Sequence, residues 1–176
     1  MFTLLGTGLF FLFACADQEM QEAKEYDEMQ DEPLETTRNA TVKYSDSAEI
    51  RAIMEAPLIE RYRRDRNMMV LDEGLNLTFF DPHPHETARV TANYGERLME
   101  EKKTILRYDV LVVNEDNDTL ETEYLLWDEE AEEISSDQTV KVTTSDEIII
   151  GEGFESNPDF TEYTFYEITG TIDVEH

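Results

Sequence analysis

The sequence predicts an all-β fold of short antiparallel strands behind a disordered N-terminal tether. Three observations predict it. Beyond the first forty residues, apolar side chains recur at every second position, the period of a half-buried strand. Polar turn clusters, such as Asp81-Pro-His-Pro-His85, separate these runs. The pattern also repeats. Tyr94, Tyr124 and Phe154 are spaced by 30 residues, as are Val112, Val142 and Ile172, while Val110 and Val140 share the interval with Gly170 in the third place. A repeated β unit cannot bury its own apolar face, so the copies must stack.

Each element follows in order. Residues 2–13 are almost wholly apolar, too short to span a bilayer comfortably, and lead through Ala14 to Cys15. Leu12-Phe13-Ala14-Cys15 resembles a bacterial lipobox, although no lysine or arginine follows Met1. Residues 1–14 are therefore expected to be a lipoprotein-type signal peptide, and Cys15 the lipidated N-terminus. An uncleaved anchor, or a buried cysteine of no consequence, is the plainer alternative. From 16 to 40 there are nine Asp or Glu against Lys24 and Arg38, with almost no periodic apolar residues. Residues 15–40 thus read as an acidic, self-repelling tether.

The β domain is expected over 41–176. Ala48, Ile50, Ala52 and Met54 make one strand face, and Pro57 marks an edge strand or a strand end. Leu75, Leu77 and Phe79 make the next face; Ala88, Val90, Ala92 and Tyr94 follow. Leu98 to Lys103 has room for one helical turn. Leu106, Tyr108, Val110 and Val112 share a face, then Leu120, Thr122, Tyr124 and Leu126, then Val140 and Val142 against Lys141 and Thr143. The strongest apolar run, Ile148-Ile149-Ile150, leads into Gly151-Glu-Gly153-Phe154. After a turn at Asn157-Pro158-Asp159, the strand Tyr166-Ile168-Gly170-Ile172-Val174 ends the series. A continuous one-sided apolar face and a translational repeat imply a sheet folded over on itself, with pairing-competent strand edges guarded by charge.

Composition narrows the function. The formal net charge is −28, which makes nucleic acid and anionic membrane surfaces poor partners. No Gly-x-Ser-x-Gly elbow or phosphate-binding loop is present, so catalysis has no support in the residues and no cofactor is expected. His83 and His85 flank a proline in a turn, short of the three or four ligands a metal needs. Asn114, Asp116 and Asp118 resemble the start of a calcium loop, but Thr119 and Leu125 stand where Gly and Glu belong, so a hairpin turn is expected and no metal.

Several blocks then carry a resemblance. Tyr44-Ser-Asp-Ser-Ala48 with Arg51 and Ala56-Pro57, Gly74-Leu75 leading to Phe79-Phe80-Asp81, and Thr91-Ala-Asn-Tyr94-Gly95 come first. Val110-Leu-Val-Val113-Asn114, Leu120-Glu-Thr122, Trp127-Asp128, residues 134–137 and Gly151-Glu-Gly153-Phe154 follow. In order and spacing they resemble the LptC family of lipopolysaccharide-export proteins, over about residues 44–174. The resemblance implies a twisted, boat-like antiparallel β-jellyroll holding lipopolysaccharide acyl chains. It implies a periplasmic protein that receives lipopolysaccharide from the inner-membrane ABC transporter. Onward transfer would be to an LptA-like jellyroll protein, joined edge to edge. Family members commonly carry an N-terminal transmembrane helix; here the short segment ending at Cys15 stands in its place, implying a lipid anchor at the inner membrane.

With that resemblance, the shared face becomes a candidate acyl slot: Leu106, Tyr108, Val110, Val112, Tyr124, Leu126, Val140, Val142, Ile148, Ile150, Ile168 and Ile172. The same residues would equally fill a dry core, as apolar stripes usually do. That reading makes the protein a structural β-repeat lipoprotein holding partners at a membrane. Gly153 and Gly170 are expected to leave room opposite the slot, so that Gly153→Arg impairs transport while sparing the fold. Arg61, Arg63, Arg64 and Arg66, the basic cluster, are candidates for forked contacts to lipopolysaccharide phosphates, or a solvated loop.

Overall fold

A computed structural model describes residues 32–63 and 67–173. The expected signal peptide, Cys15 and most of the expected tether lie outside the described residues, as do Arg64, Arg66 and Val174. The described chain is all-β and antiparallel, with eleven strands in one sheet. They are β1 (Glu35–Asp46), β2 (Glu49–Arg63), β3 (Asn67–Leu71), β4 (Leu75–Phe80), β5 (Glu86–Ala92), β6 (Tyr94–Leu98), β7 (Lys103–Asn114), β8 (Thr119–Asp128), β9 (Glu133–Thr143), β10 (Glu147–Ser156) and β11 (Tyr163–Asp173).

The connectivity is an up-and-down meander with a bend through every pass. β2 pairs with β4 along Ala52–Glu55 and with β3 along Glu60–Arg63. On the far side, β7 pairs with β6 along its first half and with β5 along its second. β3 with β4, and β5 with β6, are thus two halves of single bent passes. One leg of the sheet holds β4, β5 and the halves of the long strands beside them. The other holds β3, β6 and the remaining halves.

A crease separates the legs, and sequence irregularities mark it. Asn39, Tyr108, Asp109 and Gly153 have φ of 49°, 64°, 51° and 69°, and Gly74 turns the chain between β3 and β4 at 83°. Pairing shifts register between Arg107 and Val110, between Thr122 and Leu126, between Glu152 and Phe154, and opposite Ile168. Tyr108, Glu123, Gln138, Gly153 and Ile168 stand 15 residues apart, so the 30-residue repeat is one hairpin of two bent strands. Each extra residue bends its strand; β7 and β9 keep one inward phase across it, from Leu106 to Val110 and from Ser136 to Val140, whereas β8 between them changes phase from Thr122 to Leu125.

Three local expectations are corrected. Residues 35–40 are not tether but the first half of β1, hydrogen-bonded along β2 from Glu35↔Arg61. Their side chains are almost all exposed, so an edge strand leaves no apolar period to read. Pro57 ends nothing: β2 runs through it, because at the crease, opposite Asn39, the ladder is interrupted on both sides and no backbone N–H is required there. Leu98 to Lys103 makes no helical turn but the end of β6, a tight turn and the start of β7.

Apolar residues from both legs meet between them. Met54, Leu77, Val90, Val110, Val112 and Val140 come from one leg, and Leu71, Leu106, Leu125, Ile134 and Phe154 from the other. Each such side chain contributes roughly 1.5–3 kcal/mol through burial.

A candidate lipid groove closed by aromatic side chains

The inner surfaces of the legs form a V-shaped groove along the sheet, and the hairpin turns are its lips. One lip carries the turns at 46–48, 81–85, 114–118 and 144–146. The other carries 99–102, 128–132 and 157–162. Local polar bonds fix these turns. Asn114 Oδ1 accepts from the backbone N–H of Asp116 at 3.0 Å and of Asp118 at 2.9 Å. The stretch expected from sequence to be a hairpin is therefore one. Asp81 Oδ1 accepts from the N–H of His83 and His85 at 2.8 and 3.0 Å, and the His85 N–H bond leads the causes that hold its carboxyl below the usual range.

Aromatic rings cross from lip to lip. Trp127 on β8 meets Phe79 of β4 with centroids 4.9 Å apart and Tyr44 of β1 at 5.9 Å, both edge-to-face. Phe160, on the turn after β10, reaches Phe79 at 6.4 Å. Under this row lies Arg97 of β6, only 7% exposed. It pairs with Glu129, donates to Thr104 Oγ1 at 3.2 Å, and covers the Tyr44 ring at 4.4 Å. Burial raises the Tyr44 pKa, against the pull of Arg97, and lowers that of Arg97. Thr87 of β5 adds a hydroxyl bond to Asp159 Oδ1 across the gap, at 3.1 Å.

The interior is closely filled. Between Val112, Leu120 and Val142 on one leg and Phe154, Phe160 and Tyr163 on the other is a gap of about 20 Å³, room for about one water and partly open at the lip beside Asn114 and Asp118. Outside the row, between the lips, is a hollow of about 470 Å³ floored by Tyr44, Phe79 and Trp127 and rimmed by Arg51, Lys102, Asp46 and Glu130. A larger hollow, about 580 Å³, lies on the outer side of the crease. Asn39, Glu55, Glu73, Asn93 and Asp109 line it beside Ala40, Ala56, Pro57 and Leu75, and Asn76 Oδ1 is buried there without a partner. Among the described residues no three His, Cys, Asp or Glu converge as a metal site.

A boat-shaped β-sheet with an apolar inner face and, among the described residues, edge strands β1 and β11 paired on one side only agrees with the resemblance carried by the sequence blocks. The family model described as "Lipopolysaccharide-assembly, LptC-related" matches residues 2–173. The chain belongs to the LptC family. Comparison with curated proteins yields no match. LptC proteins are periplasmic and envelope-associated, and membership gives the chain a role in lipopolysaccharide transport, in a transport family rather than an enzyme family. No helix among the described residues is long and apolar enough to cross a membrane.

Within this LptC-family fold the expected slot residues divide. Leu106, Val110, Val112, Val140 and Val142 face the groove and are buried. The rest are corrected. Tyr108 sits on the bulge of β7 and is 58% exposed. Tyr124 and Leu126 face outward, opposite Arg107 and Ile105, because β8 changes phase at the crease, beside the extra residues of β7 and β9, and the inward positions pass to Leu125 and Trp127. Ile148, Ile150 and Ile172 also face outward, since Ile149 and Gly151 pair with Val142 and Val140 and take the inner positions. Ile168 lies at the bulge of β11 and is 60% exposed.

The glycines are corrected too. Gly153 does not face open space: a Cβ there would come 2.5 Å from Tyr166, at a φ that disfavours any side chain, so an arginine would not spare the fold. Gly170 has nothing within 4 Å of its Cβ position, but it pairs with Ile150 on the outer face. Of the basic cluster, Arg61 donates through Nε to Asn67 Oδ1 at 3.3 Å, and Arg63 is exposed at the end of β2. Sequence reasoning missed the residues that close the groove: Tyr44, Phe79, Arg97, Trp127 and Phe160. One available signal was the sole tryptophan; another was the bulky Phe160 inside an otherwise polar turn.

Proposed function

We infer that this protein carries lipopolysaccharide by its acyl chains in the groove between the two legs. It would take them from the inner-membrane ABC transporter and pass them to an LptA-like jellyroll protein. The observation that carries this reading is a single apolar surface, continuous across the bent sheet and closed at the lips by side chains rather than by backbone hydrogen bonds. Such a closure parts without breaking the sheet. The free backbone groups of β1 and β11 are suited to strand addition by neighbouring jellyrolls. Arg61 and Arg63, with Arg64 and Arg66 next in sequence, are suited to phosphates of the headgroup. Cys15 would carry the acyl anchor that holds the domain at the inner membrane, in stable form only with more than one chain.

The gap of about 20 Å³ favours a second reading, a structural β-repeat lipoprotein with a dry core. Photo-crosslinking in cells separates the two. A photoreactive residue at Val142, buried and inward, should yield lipopolysaccharide adducts; one at its outward neighbour Lys141 should not. A folded protein with no adduct at Val142 or Val112 would leave the dry-core reading standing.

A further inference from the structure

Phe160 differs from the rest of the hydrophobic core. Every other buried member of that cluster, among the described residues, stands on a strand; Phe160 alone stands on a turn. It is 6% exposed, and its φ of 54° is unusual for a bulky side chain, a strain of about 1–3 kcal/mol that its surroundings must hold. Its ring reaches inward from one lip to Phe79 of the other and borders the small, partly open gap between the legs. The turn that carries it is tied by polar bonds. Asn157 Oδ1 accepts from the N–H of Thr161 and Glu162 at 3.0 and 3.1 Å, and Asp159 accepts from Thr87. A ring carried on a short, backbone-strained turn, inserted between the two legs of the sheet and held at its rim by hydrogen bonds, can leave without unpairing a strand.

We propose that Phe160 is an exchangeable plug: it fills the groove where an acyl chain would lie, and the chain displaces it. The binding position so defined lies between Val112, Leu120 and Val142 on one side and Phe154 and Tyr163 on the other. Its ligand is a single saturated or extended hydrocarbon chain of an amphiphile. The proposal rests on the acyl-groove reading above. A plug of this kind lowers the apparent affinity of the empty protein by the fraction of time the site is open, and its removal lifts that penalty.

The test uses the full chain with Cys15→Ser, and parinaric acid, a fatty acid that fluoresces in apolar surroundings. High salt screens the net charge of −28. Phe160→Ala should bind the probe about tenfold more tightly than the parent. Against the chance that this variant fails to fold, a second variant carries Thr87→Cys with Asp159→Cys. Oxidised, the pair should hold the plug in and weaken binding about tenfold, and reductant should restore it. If the parent binds but Phe160→Ala binds no tighter, or oxidation of the cysteine pair changes nothing, the plug is wrong while the groove stands. If neither parent nor variants bind, the groove reading falls and the plug with it.

Discussion

The two edge strands among the described residues, β1 and β11, are built differently. At one edge, β1 places Ala40, Val42 and Tyr44 against the core, and Tyr44 engages both Trp127 and Arg97 of the opposite leg. That end of the groove is sealed. At the other edge, β11 places only Phe165 against the core, and leaves Tyr166, Ile168 and Ile172 largely exposed. Charge differs as well. On β1, Arg38 and Lys43 balance Glu35 and Asp46, whereas beyond Lys141 the chain has nine acidic side chains and no lysine or arginine. A sheet packed closely at one edge and loosely at the other has a direction, and its loosely packed edge suits a partner strand that is apolar and basic.

Substitutions can break or sharpen this contrast. The largest effect is expected at the seal. Trp127→Ala removes the ring that joins Tyr44 and Phe79, and should cost about 3–5 kcal/mol in urea unfolding. A loss below about 1 kcal/mol would mean that the sealed end is not a packing centre. Next comes the crease near β11. Gly153→Ala meets Tyr166 and a positive φ, and should cost about 1–2 kcal/mol, whereas Gly170→Ala meets nothing and should be neutral or slightly stabilising. Equal losses at both glycines would contradict the crease as drawn.

At the open edge, Ile172→Ser should change stability by no more than about 0.5 kcal/mol, because the side chain is 59% exposed. The same variant should weaken capture of a partner jellyroll in a pull-down; a stability loss like that at Trp127 would place β11 in the core. The smallest effect concerns acid. The Lys103 ammonium, 2.9 Å away, holds the Asp128 carboxyl below its ordinary 3.8. Its contribution is therefore present above that value and fades as pH falls through the depressed one. Asp128→Asn should be slightly less stable than the parent at neutral pH and match it in strong acid.

The sequence made the strands and their polar turns legible, because alternation survives within each leg. It did not show the phase of that alternation across a bulge. Leu106, Val110, Val112, Val140 and Val142 face inward as their pattern says, but Tyr124 and Leu126 do not. β8 changes phase between Thr122 and Leu125, beside the extra residues of β7 and β9, and the adjacent apolar pair Leu125-Leu126 blurs that change. Ile148-Ile149-Ile150 has no polar member to set a phase, and pairing with β9 sets it instead. Residues 35–40 looked like tether because an edge strand held by backbone bonds needs no apolar period. Arg97 reads as a surface cation until Thr104 across the β6–β7 hairpin and Glu129, distant in sequence, enclose it.

The central claim is that the two legs part to admit an acyl chain. Spin labels at Asp116→Cys and Ala131→Cys, on the turns before and after β8, sit one on each lip. Their separation, measured by pulsed electron spin resonance in a Cys15→Ser background, reports the width of the mouth. Adding lipopolysaccharide should lengthen it by several ångströms and broaden nothing else. An unchanged distance in protein that has bound lipopolysaccharide would mean that the lipid rides on the outside of the sheet and that the groove stays shut.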